Sequence, residues 1–313
     1  MPFGLDQHPA NSPGLAQAGL QYMLFDGFTV EQRPVNGTTL HFRRGGKGPP
    51  LLLLHGYPQT HVMWHTIAGR LAREFSLILP DLRGYGDSGK PTPTEDHFAH
   101  SKRMMARDVA DLMRVLGHER FMVAGHDRGG RVTHRLALDH PDRVLRAAIL
   151  DIVPTHTLWR DLDHKVALAY YHWMFLAQPG GYPEYLIGKD PMYCLERMLG
   201  GIGTRLDAYH PEALAEYRRC FCDPSVINGT CEDYRAGATI DVAHDTADLD
   251  RRIACPLLVL WGSRGLVGKA YDPLACWREK ADDVRGQAIE GGHFLVEENP
   301  DPCYAALKEF FSV

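Results

Sequence analysis

The segment GHDRGGR, residues 125–131, sets an aspartate, Asp127, at the centre of a Gly-x-Asp-x-Gly pattern. A strand-like run precedes it and a helical pattern follows, which is the setting of a nucleophile elbow. Glycine suits a turn this tight, and the helix N-terminus it creates favours an anion. Taken alone, the short pattern also reads as a turn with a capping aspartate. A serine here would attack a carbonyl carbon. A carboxylate is suited to displacing a leaving group from a saturated carbon, which leaves an enzyme ester. Hydrolysis of that ester needs water, a base and donors for an oxyanion at the Asp127 carbonyl. The expected donors are the backbone N–H groups of Arg128 in the elbow and of Tyr57 in the loop after LLLLHG.

Among 17 histidines, His293 in EGGHF (290–294) is the candidate base. It lies between a late strand-like run and the C-terminal helical pattern, and imidazole is poised near neutral pH. The acid that orients such a histidine is usual in the loop after PLLVLWG, but Gly265 stands there. Asp151, at the end of AILDIVP, is the assigned orienter, because adjacent strand ends can reach one histidine; Asp272 is the alternative.

Arg128 and Arg131 are spaced i, i+3 and share a helix face. Guanidinium forks match carboxylates. The pair reads either as salt bridges to nearby acids or as a grip on a substrate carboxylate. His172, Trp173 and Tyr234 offer N–H and O–H donors for a departing halide. Aromatic core packing is the competing explanation for a run such as YYHWMF. His61-x-x-x-His65 has the helical spacing of a metal pair but lacks the HExxH glutamate, so packing or a surface position is expected.

Alternating elements must carry these residues. FTVEQRPV (28–35) and TTLHFRRG (38–45) flank Asn36-Gly37, a hairpin signal. The runs at 51–54, 75–81, 120–127, 144–153 and 256–263 are continuously apolar, as strands buried on both faces are. Helical patterns at 102–117, 131–141 and 300–311 alternate with them, which predicts a doubly wound α/β core. Between 154 and 250 the pattern becomes helical and aromatic, with candidate helices at 167–188 and 210–221. The expected organisation is a core over 1–153 and 251–313 with a helical cap over 154–250, above the edge where such sheets bind ligands. Residues 1–20 read as a loose arm.

The 313 residues suit one large core with an inserted subdomain. A net charge of −5 and no basic block argue against nucleic acid and against an acidic membrane surface. Seven cysteines without a CxxC pair read as reduced thiols of a cytoplasmic protein, and neither a signal peptide nor a membrane span is evident.

HGYPQTHVMWH, DLRGYGDS, GHDRGGR, YYHWMFLAQP, CEDYRAG and GHF together resemble the fluoroacetate (haloacetate) dehalogenases of the α/β-hydrolase superfamily. The resemblance runs through core and cap. It implies the α/β-hydrolase fold, a mostly parallel sheet with helices on both faces and an inserted helical cap. It implies Asp127 as nucleophile, His293 as base and Asp151 as its acid. It further implies Arg128 and Arg131 on the substrate carboxylate and His172, Trp173 and Tyr234 around the halogen. The chemistry so implied needs no metal or organic cofactor, and the partner is a small haloacid. Many members are dimeric, so a homodimer is an expectation from the resemblance alone. Epoxide hydrolases and haloalkane dehalogenases share the aspartate nucleophile, although the latter typically carry tryptophan where Arg128 stands. A hydrolase-fold receptor for a small carboxylate is the non-enzymatic alternative.

Overall fold

The computed structural model describes residues 24–201 and 203–312; the arm expected over 1–20 lies outside them. Eight strands form one sheet in the order β1-β2-β4-β3-β5-β6-β7-β8. They are β1 Thr29–Val35, β2 Thr38–Gly45, β3 Pro50–Leu54, β4 Ser76–Pro80, β5 Phe121–His126, β6 Val144–Leu150, β7 Leu257–Gly262 and β8 Val284–Ile289. β1 and β2 form the expected hairpin, with Val35 opposite Thr38. Its tip is Asn36 and Gly37 at φ 43° and 75°, the left-handed pair that a two-residue turn requires. β2 also pairs antiparallel with β4, and from β4 onward every pairing is parallel.

The central strands are apolar because both of their faces are covered. Leu51 to Leu54, Phe121 to Ala124 and Ala147 to Leu150 are all buried. The helices Lys102–Val115 and Arg128–Asp139 pack together, as do His65–Leu71 and Pro300–Phe311. Gly117 at φ 84° follows the first of these helices, where the sequence places its stop. The helix expected at 131–141 starts earlier, at Arg128, directly after Asp127, and ends at Asp139 ahead of Pro141.

Between β6 and β7 the described residues form helices and turns and no strand. The helical stretch expected over 167–188 is made of three short helices, His164–Ala169, Tyr171–Leu176 and Tyr182–Ile187. Gly180 and Gly181 at φ 72° and 71° end any helix there, and Tyr170 leaves helical geometry at φ −102°, ψ 32°. These breaks let Tyr170, His172 and Trp173 face the sheet domain rather than follow one helix axis. The helix expected at 210–221 is present as Pro211–Phe221, followed by Pro224–Ala238.

All seven cysteines are free; Cys222 is exposed, Cys194 half-buried and the others buried. No helix among the described residues is long and apolar enough to cross a membrane.

Candidate active site

Asp127 sits between β5 and the helix Arg128–Asp139 with φ 47° and ψ −115°, a conformation that a non-glycine residue adopts only where its surroundings enforce it. The glycines on either side permit this closeness. A Cβ on Gly125 would lie 2.2 Å from the Gly129 carbonyl oxygen, and one on Gly129 would lie 2.4 Å from the His55 carbonyl oxygen. Asp127 occupies the position before the helix but its side chain caps nothing. Instead Tyr57 N–H donates to Asp127 Oδ2 at 2.9 Å, and Oδ1 accepts no hydrogen bond from a described residue. One carboxylate oxygen is therefore pinned on a backbone donor while the other is left unengaged. Burial opposes the charge of Asp127. His293, Arg128, His126 and Arg131 more than offset this and hold the carboxyl below the ordinary range.

His293 and Asp151 meet across 142 residues of chain, with His293 Nδ1 at 2.6 Å from Asp151 Oδ2. Asp151 follows β6 at φ 54°, and its Oδ1 accepts the Gly262 N–H at the end of β7, 2.9 Å away. The two strand ends thus share one carboxylate. Burial disfavours the His293 imidazolium, but the hydrogen bond and charge of Asp151, then Asp127, raise its pKa above the ordinary value. Asp272, the alternative acid, instead caps the helix Pro273–Arg278 through the Ala275 N–H.

A cavity with about 330 Å³ of empty space is lined by Tyr57, Asp127, Arg131, Trp173, Tyr234 and His293, together with Tyr170 and His172. The phenols of Tyr170 and Tyr234, the Trp173 indole N–H and the His172 ring have no hydrogen-bond partner among the described residues. Burial holds His172 down to about 3, so it is a neutral ring that can donate one N–H. Burial likewise keeps both phenols protonated, with Asp151 opposing ionisation of Tyr170 and Asp127 that of Tyr234.

The two arginines differ. Arg131 lines the cavity, and its Nη1 donates to Val153 O at 3.2 Å and to Thr155 Oγ1 at 3.0 Å. Its Nε is buried without a partner. Burial and the neighbouring Arg128 charge push its pKa below the ordinary value, a cost that an incoming carboxylate would relieve. Arg128 is fully buried and does not line the cavity. Its Nε and Nη2 bond Asp233, and only Nη1 is left without a partner. Of the two expected carboxylate ligands, then, Arg131 is at the cavity wall and Arg128 is held back by a salt bridge.

The sequence reading passed over four residues that shape the site. Tyr170 lines the cavity. His126 lies 2.8 Å through Nε2 from the His293 carbonyl oxygen and braces the backbone that carries that ring. Glu298 accepts the N–H groups of Gly292 and Phe294 on either side of His293. Asp233 holds Arg128. Tyr170 and Asp233 lie inside the motifs YYHWMF and CEDYRAG, so their proximity to His172 and Tyr234 was the available signal.

His61 and His65 do not form a metal pair. His61 is buried and its Nδ1 bonds Asp81 Oδ1 at 2.8 Å, whereas His65 Nδ1 bonds the Val62 carbonyl. His41, His61 and Asp81 bring three ligand atoms close together. Arg43 Nε, however, donates to His61 Nε2 at 3.1 Å, so both ring nitrogens are engaged and a fixed cation already stands there.

Comparison with known proteins identifies the family. Residues 49–300 match the family model for the alpha/beta hydrolase fold. The chain is 48% identical over 290 residues to a fluoroacetate dehalogenase from Burkholderia sp., covering 92% of this chain and 95% of that one. It is 36% identical to a soluble epoxide hydrolase from Corynebacterium sp. (strain C12), covering 91% and 97%. A crystal structure of a Nostoc sp. PCC 7120 protein assigned to the alpha/beta hydrolases superposes with a TM-score of 0.90 at 53% identity, covering 91% and 98%. The chain belongs to the alpha/beta hydrolase fold family and is a hydrolase within it, in the company of the Burkholderia fluoroacetate dehalogenase.

Proposed function

We propose that the protein hydrolyses haloacetates, fluoroacetate among them, through an ester on Asp127. The observation that carries this reading is the shared cavity. A free carboxylate oxygen, a desolvated arginine and unpaired ring donors all border one space of about 330 Å³. The substrate carboxylate lies on Arg131 at the cavity wall; the unpartnered Nη1 of Arg128, behind that wall, is the proposed second donor. Asp127 Oδ1 attacks the halogen-bearing carbon, the carbon–halogen bond breaks, and the halide leaves with its electron pair toward His172, Trp173 and Tyr234. Fluoride is strongly hydrated in water, so donors already fixed around the leaving atom matter most for it. His293, oriented by Asp151, then takes a proton from water as the water attacks the ester carbonyl. The Tyr57 and Arg128 N–H groups receive the oxyanion; the Tyr57 N–H already bonds the oxygen on which that charge develops. Glycolate, halide and a proton are released.

The test is fluoride release from fluoroacetate by the wild type and by Asp127→Asn, together with a single turnover in heavy-oxygen water. The reading expects release only with the aspartate, and label in Asp127 after the first turnover. Label in glycolate but never in Asp127 would rule out the ester route.

A second reading is epoxide opening. The two unpaired phenols, Tyr170 and Tyr234, favour it, because an opening epoxide needs an acid at its oxygen. A neutral epoxide would leave the buried Arg131 cation uncompensated, which favours an acid substrate. A neutral epoxide assayed beside fluoroacetate separates the two. A receptor role would give no purpose to the Asp127–His293–Asp151 arrangement.

A further inference from the structure

We infer that Asp233 is a positioning residue for halide departure: it fixes the Arg128 guanidinium beneath Tyr234 and Trp173, so that the cation strengthens these rings as donors to the leaving halide. The inference rests on the haloacetate reading and adds a role to that site.

Asp233 lies fully buried on the helix Pro224–Ala238, one residue before Tyr234. Arg128 Nε donates to its Oδ2 at 2.8 Å and Nη2 to its Oδ1 at 2.9 Å; Nη2 also donates to the Asp233 backbone oxygen at 2.7 Å. The Tyr85 hydroxyl donates to Oδ2 at 2.6 Å, and Lys102 Nζ bonds Oδ1. Lys102 in turn reaches Asp241 at 3.2 Å. The carboxylate thus ties the loop after β4, the start of the helix Lys102–Val115, the nucleophile turn and the cap helix together. Two cations, Arg128 and Lys102, face two anions, Asp233 and Asp241. The cluster is neutral, and Arg131 at the cavity wall remains to meet the substrate carboxylate.

So fixed, the Arg128 guanidinium carbon stands 4.1 Å from the centre of the Tyr234 ring and 4.9 Å from that of Trp173. Arg131 stands 4.4 Å from the Trp173 ring centre. Gly237, one turn beyond Asp233, closes the other side: a Cβ there would come 2.9 Å from Arg128 Nη2. The guanidinium therefore has one seat. A cation over an aromatic face draws on its π electrons, and desolvation makes the interaction strong. The O–H and N–H at the ring edges become better donors, as polarised hydrogen-bonding groups do in a dry site. Fluoride, the halide that depends most on hydrogen bonds to leave, gains more from this than chloride.

The experiment measures kcat and KM for fluoroacetate and chloroacetate in the wild type, Asp233→Asn and Tyr85→Phe. Alongside, bromide titrates the tryptophan emission of the same proteins, with Trp173→Phe as the blank. Asp233→Asn should lower the fluoro-to-chloro ratio of kcat by about tenfold, the scale of a desolvated cation–π contact, and weaken Trp173-dependent bromide quenching. KM should change less than kcat. Tyr85→Phe, which removes a single hydrogen bond, should move the ratio the same way by a smaller factor and guards against misfolding of the first variant. A kcat ratio that stays constant in both variants, or quenching that is unchanged, would overturn the inference. If the wild type binds bromide at Trp173 but releases no fluoride, the haloacetate reading fails, and the bromide series alone decides the role of Asp233.

Discussion

Asp151→Asn should separate ester formation from ester hydrolysis. Gly262 N–H donates to Asp151 Oδ1, so an asparagine in this frame keeps its carbonyl oxygen there and turns its amide –NH2 toward His293 Nδ1. Nδ1 must then accept, and the ring proton moves to Nε2, the nitrogen that should take a proton from water. The equivalent wrong-tautomer substitution in a serine-protease triad costs about 10⁴ in kcat, or about 5.5 kcal/mol at 1.36 kcal/mol per decade. Asp127, its Tyr57 donor and the arginines are untouched, so Asp127 should still be alkylated at close to the wild-type rate. The assay is rapid-quench single turnover with mass spectrometry of the peptide containing Asp127; the ester should accumulate. A slowing of hydrolysis below about 10²-fold, the low end of what general acid–base catalysis contributes, would refute the assignment of Asp151. The geometry also offers a rescue. A Cβ on Gly265 would lie 3.4 Å from both Asp151 carboxylate oxygens, and its φ of −71° admits any residue. Asp151, at φ 54°, stands where glycine is at ease. Asp151→Gly combined with Gly265→Asp should therefore return a carboxylate to His293 from the neighbouring strand end and recover part of the lost rate.

Arg131→Leu should cost about 2–5 kcal/mol in kcat/KM for haloacids, the scale of truncating one partner of a buried charge pair; an unchanged preference for haloacids over neutral alkyl halides would contradict its role. The rate of ester hydrolysis should fall as pH drops through the raised pKa of His293, because only the neutral ring accepts a proton. Ester formation should stay level over the same range, since Asp127 is held ionised; pH-dependent single-turnover rates test both. Glu297 is buried and accepts hydrogen bonds from Gln59 and Tyr217. Burial raises its pKa well above the ordinary carboxyl value. Its contribution to stability is then full below the unfolded value, about 4.3, and is lost as pH rises through the folded one. Glu297→Gln should flatten the fall in melting temperature with rising pH, and an unaltered slope would show that the carboxyl stays charged.

The chain announces what depends on near neighbours. The Asn36-Gly37 hairpin, the apolar central strands and the turn at Asp127 follow from steric limits and periodicity that act over a few residues. The resemblance carried by separate motifs assigned roles to the same candidate residues, and most of them border one cavity. Other points rest on where distant segments meet. Asp151 rather than Asp272 holds His293 because β6 and β7 lie side by side. Arg128 and Arg131 look equivalent along the helix, yet Asp233, 105 residues away from Arg128, claims one and leaves the other at the cavity. The aromatic stretch after residue 164 breaks into short helices at Tyr170 and at Gly180-Gly181, and those breaks aim its rings. Local propensity acts through the backbone of adjacent residues. The partner of a buried charge is chosen by burial itself, which makes an unpaired ion too costly and so lets only the assembled core decide which groups meet.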